Sequence, residues 1–209
     1  MKADKFLVGG EWVDPHGSEV VQSINPSTEE AIGEAVLGDA QDADRAVSAA
    51  KQAFTTWQTS SIEERIAVIR RMRAAYEAIA PEMERHLTRE IGLTPMTAQG
   101  QTRMTLSHFD VVLGLLPTYE FAQRRGETIT LRREPVGVVV AITSWNAPVN
   151  QMLCKAIPAI AAGCTVIVKP SELAPLCGHM VAEAMAQANV PQGVFNLLNG
   201  RGGDCGRRL

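Results

Sequence analysis

Apolar residues recur every three or four positions through much of the first half of the chain. This spacing places side chains on one face of a helix, and it predicts helices from Asp39 to about Trp57 and from Ser61 onward. Ser61 and Glu64 have the sequence of a capping box, in which each side chain accepts a hydrogen bond from the other residue's backbone N–H. Pro81 is predicted to lie in the first turn of the next helix, because a proline there costs no hydrogen bond.

Glycine and proline mark several further boundaries. Gly92 is predicted to cap the C-terminus of a helix, and Thr94 to begin another just before a proline. Residues 6–13 alternate around two glycines and predict a hairpin, and residues 31–37 predict a second extended segment. Residues 127–132 alternate in the way an exposed strand does, so they are predicted to form an arm.

Partway along the chain the pattern changes to short, wholly apolar segments that alternate with helical ones. The apolar segments are VGVVVAIT, TVIVKP and VFNLLNG, and the helices between them are predicted to end at Gly163 and to run from about Ala174 to Ala188. Such strands are typical of a parallel sheet buried on both faces. We therefore predict an α/β fold, in which N-terminal helices and small strands in residues 1–133 lead into half of a doubly wound domain in residues 134–209. The third parallel strand is predicted to keep an unpaired apolar edge.

Composition narrows the class of protein. The 209 residues are 45% apolar, which suffices for a sizeable core, and their formal charge of −3 is spread without a basic block. Nucleic acid and anionic membranes are therefore disfavoured as partners. No segment is apolar enough for a signal peptide or a membrane span, so a cytoplasmic protein is expected. The four cysteines lie far apart without a Cys-x-x-Cys motif, so they are expected to be reduced thiols and no metal site is predicted.

The loop that follows the first parallel strand carries the first candidate for chemistry. In a βαβ unit this loop, here Ser144 to Pro148, meets the N-terminus of the next helix, where free amides favour a developing negative charge. Asn146 brings a neutral amide donor to the same place, as an oxyanion hole requires. The alternative is that Asn146 only caps the helix and Trp145 only packs.

The second and third parallel strands also end in candidate loops. Lys169 and Glu172 are three residues apart at the carboxyl edge of the sheet, where they can donate to and accept from the hydroxyls of an adenosine ribose. The alternative is an ordinary charge pair in an exposed loop. The segment from Gly200 to Gly206, which includes Gly202, resembles a phosphate-binding loop. It departs from a strict Gly-x-Gly-x-x-Gly motif because Cys205 stands in place of the last glycine.

Five segments together resemble the NAD(P)-dependent aldehyde dehydrogenase superfamily in their order and spacing. They are FLVGGEWV at residues 6–13, NPST at 25–28, EPVG at 134–137, WN at 145–146 and GCTVIVKPSE at 163–172. The resemblance covers essentially the whole chain, as the N-terminal part of a longer family member. It implies the aldehyde dehydrogenase fold, with an incomplete Rossmann-like parallel sheet, and NAD(P)-dependent oxidation of an aldehyde to a carboxylic acid.

The resemblance also implies roles for residues at the edge of this sheet. Asn146 helps to hold the thiohemiacetal oxyanion, while Ile142 and Trp145 line the nicotinamide side of the cofactor channel. Lys169 and Glu172 hold the adenosine ribose. The expected cofactor is NAD rather than NADP, because the carboxylate of Glu172 would repel a 2′-phosphate.

The sequence also departs from the family pattern. Ser144 stands where the family usually has proline, and Ala147 stands where phenylalanine is common. The family's cysteine nucleophile and glutamate base have no counterpart here, so the chain is expected to be a truncated aldehyde dehydrogenase that is inactive alone. The alternative is a non-catalytic remnant that binds NAD or joins full-length subunits. Family members form homo-oligomers through an arm, which corresponds here to residues near 127–132.

Overall fold

A computed structural model describes residues 1–209, which form six α-helices and ten strands. The helices are α1 (Ala40–Trp57), α2 (Ile62–Ile91), α3 (Pro95–Leu115), α4 (Pro148–Ala161), α5 (Pro175–Gln187) and α6 (Cys205–Arg208). The strands are β1 (Lys2–Ala3), β2 (Phe6–Val8), β3 (Glu11–Val13), β4 (Glu19–Ile24), β5 (Ala31–Leu37), β6 (Ala122–Arg125), β7 (Ile129–Arg132), β8 (Val138–Ile142), β9 (Thr165–Lys169) and β10 (Phe195–Leu197). The mixed α/β class predicted from the pattern is confirmed. None of the helices combines the length and the apolarity needed to cross a bilayer.

The central sheet has five strands in the order β3-β2-β10-β9-β8. Strands β8, β9 and β10 are parallel, as predicted, and β8 and β10 flank β9. The prediction of an unpaired edge on the third parallel strand is wrong, because β2 pairs antiparallel with β10 and places Leu7 opposite Leu197. The hairpin of β2 and β3 thus extends the sheet, and β8 has a neighbour on one side alone.

Both faces of the parallel sheet are buried. On β9, Val166 and Val168 belong to the main core with α2, α3, α4 and α5, whereas Ile167 faces a smaller cluster. That smaller cluster includes Phe6 and the alanines of α1. Helices therefore cover the sheet on its two sides, which is why its strands are continuously apolar.

Helix α2 confirms one predicted boundary and corrects another. The Ser61–Glu64 capping box is present, and Gly92 ends the helix in the left-handed region at φ 78°. The prediction that Pro81 begins a new helix is wrong, since α2 continues through it for 30 residues in all. Met83 and Leu87 lie beyond the proline and are completely buried. Their burial holds the second half of α2 in line and outweighs the backbone hydrogen bond that a proline cannot donate.

The remaining strands form two small sheets. β5 lies between β1 and β4, and β6 pairs antiparallel with β7 in an isolated hairpin. All four residues of β7 are exposed, including Ile129 at 62% and Leu131 at 43%. The exposed strand predicted in residues 127–132 is therefore confirmed, as β7 of this hairpin.

Glu90, near the end of α2, caps a different helix. Its carboxylate accepts hydrogen bonds from the backbone N–H groups of Leu176 at 2.9 Å and Cys177 at 2.8 Å, in the first turn of α5. The Ser23 hydroxyl donates to the same carboxylate at 3.0 Å. Ala174, at the N-cap of α5, provides no side-chain cap of its own. Burial raises the pKa of Glu90, and these hydrogen bonds oppose the shift.

His179, on α5, makes the stability of the fold depend on pH. Its ring lies 5.0 Å from the Trp12 ring, and burial lowers its pKa although Glu183 opposes the shift. The folded protein therefore binds this proton less readily than the unfolded chain, whose histidine pKa is about 6.5. The contribution of His179 to stability is therefore retained above about pH 6.5 and lost as the pH falls below it.

We therefore expect the urea midpoint, followed by tryptophan fluorescence, to fall between about pH 7.5 and 5.5. His179→Gln is expected to show a smaller fall. A residual slope is expected in that variant, because burial lowers the pKa of His86 as well. Equal falls in the two proteins would mean that His179 is not one of the groups responsible.

Candidate active site at the carboxyl end of the parallel sheet

The structure brings together the ends of the parallel strands where the candidate residues lie. Ile142 and Lys169 are register partners at the last positions of β8 and β9. The N–H of Thr143 donates to the carbonyl oxygen of Lys169 at 3.1 Å, so the first candidate loop starts beside the second. The predicted grouping of the candidates at one edge of the sheet is thus observed.

Asn146 lies exposed in the loop between β8 and α4. Its Oδ1 accepts hydrogen bonds from the Ser144 hydroxyl at 2.6 Å and from Nε2 of Gln151 at 3.4 Å. Its Nδ2 makes no hydrogen bond to the protein, so the two N–H groups of the amide are free to donate. The Asn146 amide is thus a neutral donor whose oxygen is fixed by two hydrogen bonds and whose NH2 group remains available.

The two simpler interpretations of this loop do not hold. The N-cap of α4 is Ala147, and no side chain caps the helix, so Asn146 is not a helix cap. Trp145 is 50% exposed and therefore is not a core residue. Ile142 is 54% exposed, so it presents a second apolar surface at the same edge of the sheet.

Lys169 is buried, although lysine side chains are usually exposed. Its side chain is buried, with 2% of the residue exposed, and Nζ donates to the carbonyl oxygens of Pro170 at 2.9 Å and Gly200 at 2.6 Å. Burial lowers its pKa, and the nearby Glu172 opposes the shift. No salt bridge joins Lys169 to the half-buried Glu172, so the interpretation as an exposed charge pair is wrong.

The glycine segment packs over Lys169. A side chain at Gly206 would lie 3.4 Å from the Lys169 methylenes, and one at Gly200 would lie 2.5 Å from Cβ of Cys205. Gly202 is exposed with open space around it. The segment therefore approaches the end of β9 closely through Gly200 and Gly206, while Gly202 faces solvent.

Three of the four cysteines are shielded from solvent. Cys164, Cys177 and Cys205 are buried, and burial raises the pKa of Cys205 to about 11. Cys154, on α4, is half-buried; its thiol donates weakly to the Gln151 carbonyl oxygen at 3.5 Å, and Nζ of Lys155 lies 3.5 Å from its sulfur. A nucleophilic cysteine must be accessible to its substrate, and Cys164, Cys177 and Cys205 are not. No group of three or more potential metal ligands is present.

Two side chains that were not predicted from the sequence hold the Asn146 loop. Gln151 bonds both Ser144 and Asn146, and Nε2 of Gln101, on α3, donates to the Asn146 carbonyl oxygen at 3.2 Å. A signal for Gln151 was available, because it is a polar residue one turn into a mostly apolar helix. Gln101 gave none, because its contact depends on how α3 packs on α4.

Comparison with known proteins gives one consistent result. The sequence profile of the aldehyde dehydrogenase family matches residues 12–209. A 3-succinoylsemialdehyde-pyridine dehydrogenase from a Pseudomonas species is 38% identical over 207 residues, which are 98% of this chain and 43% of that protein. The chain thus spans less than half the length of this relative.

Solved structures agree with the sequence match. An aldehyde dehydrogenase from Bartonella henselae superimposes with a TM-score of 0.94 at 38% identity, over 99% of this chain and 44% of its own. Aldehyde dehydrogenase C from Pseudomonas syringae, a mutant in complex with NAD+ and octanal, superimposes with a TM-score of 0.95 at 40% identity, over 99% and 42%. The present chain therefore belongs to the aldehyde dehydrogenase family.

Proposed function

We propose that this chain provides the cofactor site and the oxyanion donor of an aldehyde dehydrogenase that oxidises an aldehyde to a carboxylic acid with NAD(P)+. The observation that carries the proposal is the unpaired Nδ2 of Asn146, placed at the carboxyl edge of the parallel sheet beside the end of β9. Ligands of doubly wound sheets bind at this edge. A solved relative contains NAD+ and octanal together, which supports the assignment of both ligands.

The residues at this edge fit a dinucleotide. Ile142 and Trp145 offer exposed apolar surface for the nicotinamide side, and Gly202 leaves open space at the glycine segment. The Lys169 ammonium has three N–H groups and uses two on backbone carbonyls; because the side chain is buried, the third would reach a ribose hydroxyl only if the segment from Gly200 to Gly206 moved aside. The Glu172 carboxylate can accept from the same ribose. When bound, the cofactor would accept a hydride from the substrate.

Asn146 would act on the substrate oxygen. An aldehyde carbonyl that is attacked by a nucleophile develops negative charge on oxygen, and a fixed neutral donor stabilises this charge more than it stabilises the ground state. Because Nδ2 needs no proton exchange to do so, its action is independent of pH near neutrality. The nucleophilic cysteine and the glutamate base would come from outside these residues, since three of the four cysteines are buried and the family resemblance assigns the nucleophile to none of them.

The 209-residue chain is therefore expected to bind NAD+ without oxidising aldehydes. Calorimetric titration with NAD+ and absorbance at 340 nm in the presence of an aldehyde would measure the two properties. NADH formation by the chain alone would overturn its assignment as catalytically incomplete. A failure to bind NAD+ would remove the cofactor assignment.

Cofactor choice is expected to depend on Glu172. Glu172→Gln removes the negative charge that would repel a 2′-phosphate and weakens acceptance from the ribose hydroxyls. We expect NAD+ affinity to fall about tenfold, the equivalent of about one charged hydrogen bond, while NADP+ affinity falls less or rises. The matched control is Glu183→Gln, on the exposed side of α5. An unchanged ratio of the two affinities would contradict the assignment.

A second candidate function is association with other subunits. The β6–β7 hairpin exposes Ile129 and Leu131 on a strand that has one free edge. Such an edge can pair with another chain, so we propose homo-oligomers through this arm and, for the chain alone, capture by full-length subunits. We also propose a cytoplasmic location. Co-purification with a full-length relative, lost when residues 127–132 are deleted, would support the association.

A further inference from the structure

Ser144, Asn146 and Gln151 form a closed set of hydrogen bonds at the start of α4. The Ser144 hydroxyl and the Gln151 amide both meet Oδ1 of Asn146, at 2.6 Å and 3.4 Å. The Ser144 N–H in turn donates to Oε1 of Gln151 at 3.3 Å. Each of the three residues is thus bonded to both of the others.

One backbone group decides which way the two amides face. The Ser144 N–H can only donate, so the Gln151 atom opposite it must be the oxygen. The other Gln151 atom, Nε2, then faces Asn146 and can itself only donate, which requires Oδ1 of Asn146 on that side. These two hydrogen bonds therefore leave the NH2 group of Asn146 facing solvent.

The backbone of Asn146 is held separately, by the hydrogen bond from Nε2 of Gln101 to its carbonyl oxygen at 3.2 Å. Both the position of the residue and the rotation of its amide are therefore fixed before any substrate arrives. Hydrogen bonds accepted at Oδ1 also polarise the amide and strengthen its N–H groups as donors.

We propose that Ser144 and Gln151 are positioning residues that aim the Asn146 amide at the oxygen of the aldehyde. This inference rests on the proposed function, because Asn146 is taken there as the oxyanion donor. Aldehyde dehydrogenases usually have proline at the place of Ser144. Proline has neither the hydroxyl nor the N–H that Ser144 uses. The arrangement therefore depends on a serine at position 144 that proline could not replace.

The Asn146 side-chain NH2 group, observed by NMR in the 15N-labelled 209-residue chain, tests the aim directly. Its signal is identified by its loss in Asn146→Asp. We expect an order parameter near that of rigid backbone, about 0.8, and a fall to about 0.6 or below in Ser144→Ala and in Gln151→Glu. Glutamate still accepts from the Ser144 N–H but cannot donate to Oδ1. Ser144→Thr keeps the hydroxyl and should restore the order, and Ser107→Ala, at an exposed serine of α3, is the matched control.

Turnover provides the second readout, in a polypeptide that contains these residues and oxidises aldehydes. Ser144→Ala and Gln151→Glu should each lower kcat about tenfold with KM little changed, and Ser144→Thr should recover most of the loss. An ordered Asn146 amide in Ser144→Ala and Gln151→Glu would overturn the positioning role, whatever Asn146→Ala does. If Asn146→Ala leaves kcat unchanged while the order parameters fall as expected, the oxyanion assignment fails and the hydrogen-bonded arrangement stands.

Discussion

Asn146→Ala is expected to lower the turnover of the aldehyde-oxidising polypeptide that contains these residues by a factor of about 100 to 1,000. Removing one preorganised oxyanion donor typically has an effect of this size, because the donor acts mainly when charge develops in the transition state. The Nδ2 of Asn146 is the group concerned, since it is free of protein acceptors and faces the open side of its loop. Steady-state NADH formation at saturating aldehyde and NAD+ measures the effect.

The same substitution should leave NAD+ affinity within about twofold in the 209-residue chain, because no cofactor contact is assigned to Asn146. Calorimetry on that chain separates the two roles without requiring activity. Asn189→Ala is a control, since Asn189 lies after α5, far in sequence from the candidate loop. Parallel losses of turnover and NAD+ affinity would show that Asn146 belongs to the cofactor site.

Glu90→Ala is expected to lower the free energy of unfolding by about 3 to 4 kcal/mol. The substitution leaves the N–H groups of Leu176 and Cys177 in a buried helix terminus without their acceptor. It also removes the partner of the buried Ser23 hydroxyl. Each such orphaned group costs about 1 to 3 kcal/mol, and a carboxylate at the start of a helix is further favoured by the helix dipole. Urea denaturation of the chain measures the loss.

A second glutamate of α2 serves as the control. Glu77 has a side chain that is 56% exposed and pairs with Arg73 at 2.8 Å, so Glu77→Ala should change stability by no more than about 0.5 kcal/mol. Glu90→Gln keeps one acceptor oxygen, so its loss of unfolding free energy should lie between those of Glu90→Ala and Glu77→Ala. A loss below about 1 kcal/mol for Glu90→Ala would mean that water replaces the carboxylate at the start of α5.

Local sequence signals predicted the elements whose stability is local. The Ser61–Glu64 capping box and the left-handed Gly92 depend on residues within one turn, and both were predicted correctly. Pro81 failed as a boundary because its effect is local and unfavourable, whereas the burial of Met83 and Leu87 is tertiary and larger. The parallel strands were also predicted, because strands buried on both faces consist of continuous apolar runs.

The candidate site was predictable in its location more than in its contacts. Strand order places Asn146 and Lys169 at one edge of a parallel sheet, and this follows from the βαβ pattern. The burial of Lys169 was not predictable, because it depends on the approach of Gly200 and Gly206 from a distant segment. The contact between Gln101 and the Asn146 carbonyl oxygen likewise requires the packing of α3 on α4.

The antiparallel pairing of β2 with β10 has a consequence for the order of folding. It joins residues 6–8 to residues 195–197, so everything between these two segments must leave the ribosome before the hairpin can pair with the sheet. Contacts of such separation form late, because closing a long loop costs entropy before any contact is gained. Until then the edge of β2 that will pair with β10 stays open to other nascent chains. A deletion or bulky fusion at the amino terminus should therefore appear first as a lower yield of soluble protein during synthesis, even when the purified protein unfolds at nearly the same urea concentration.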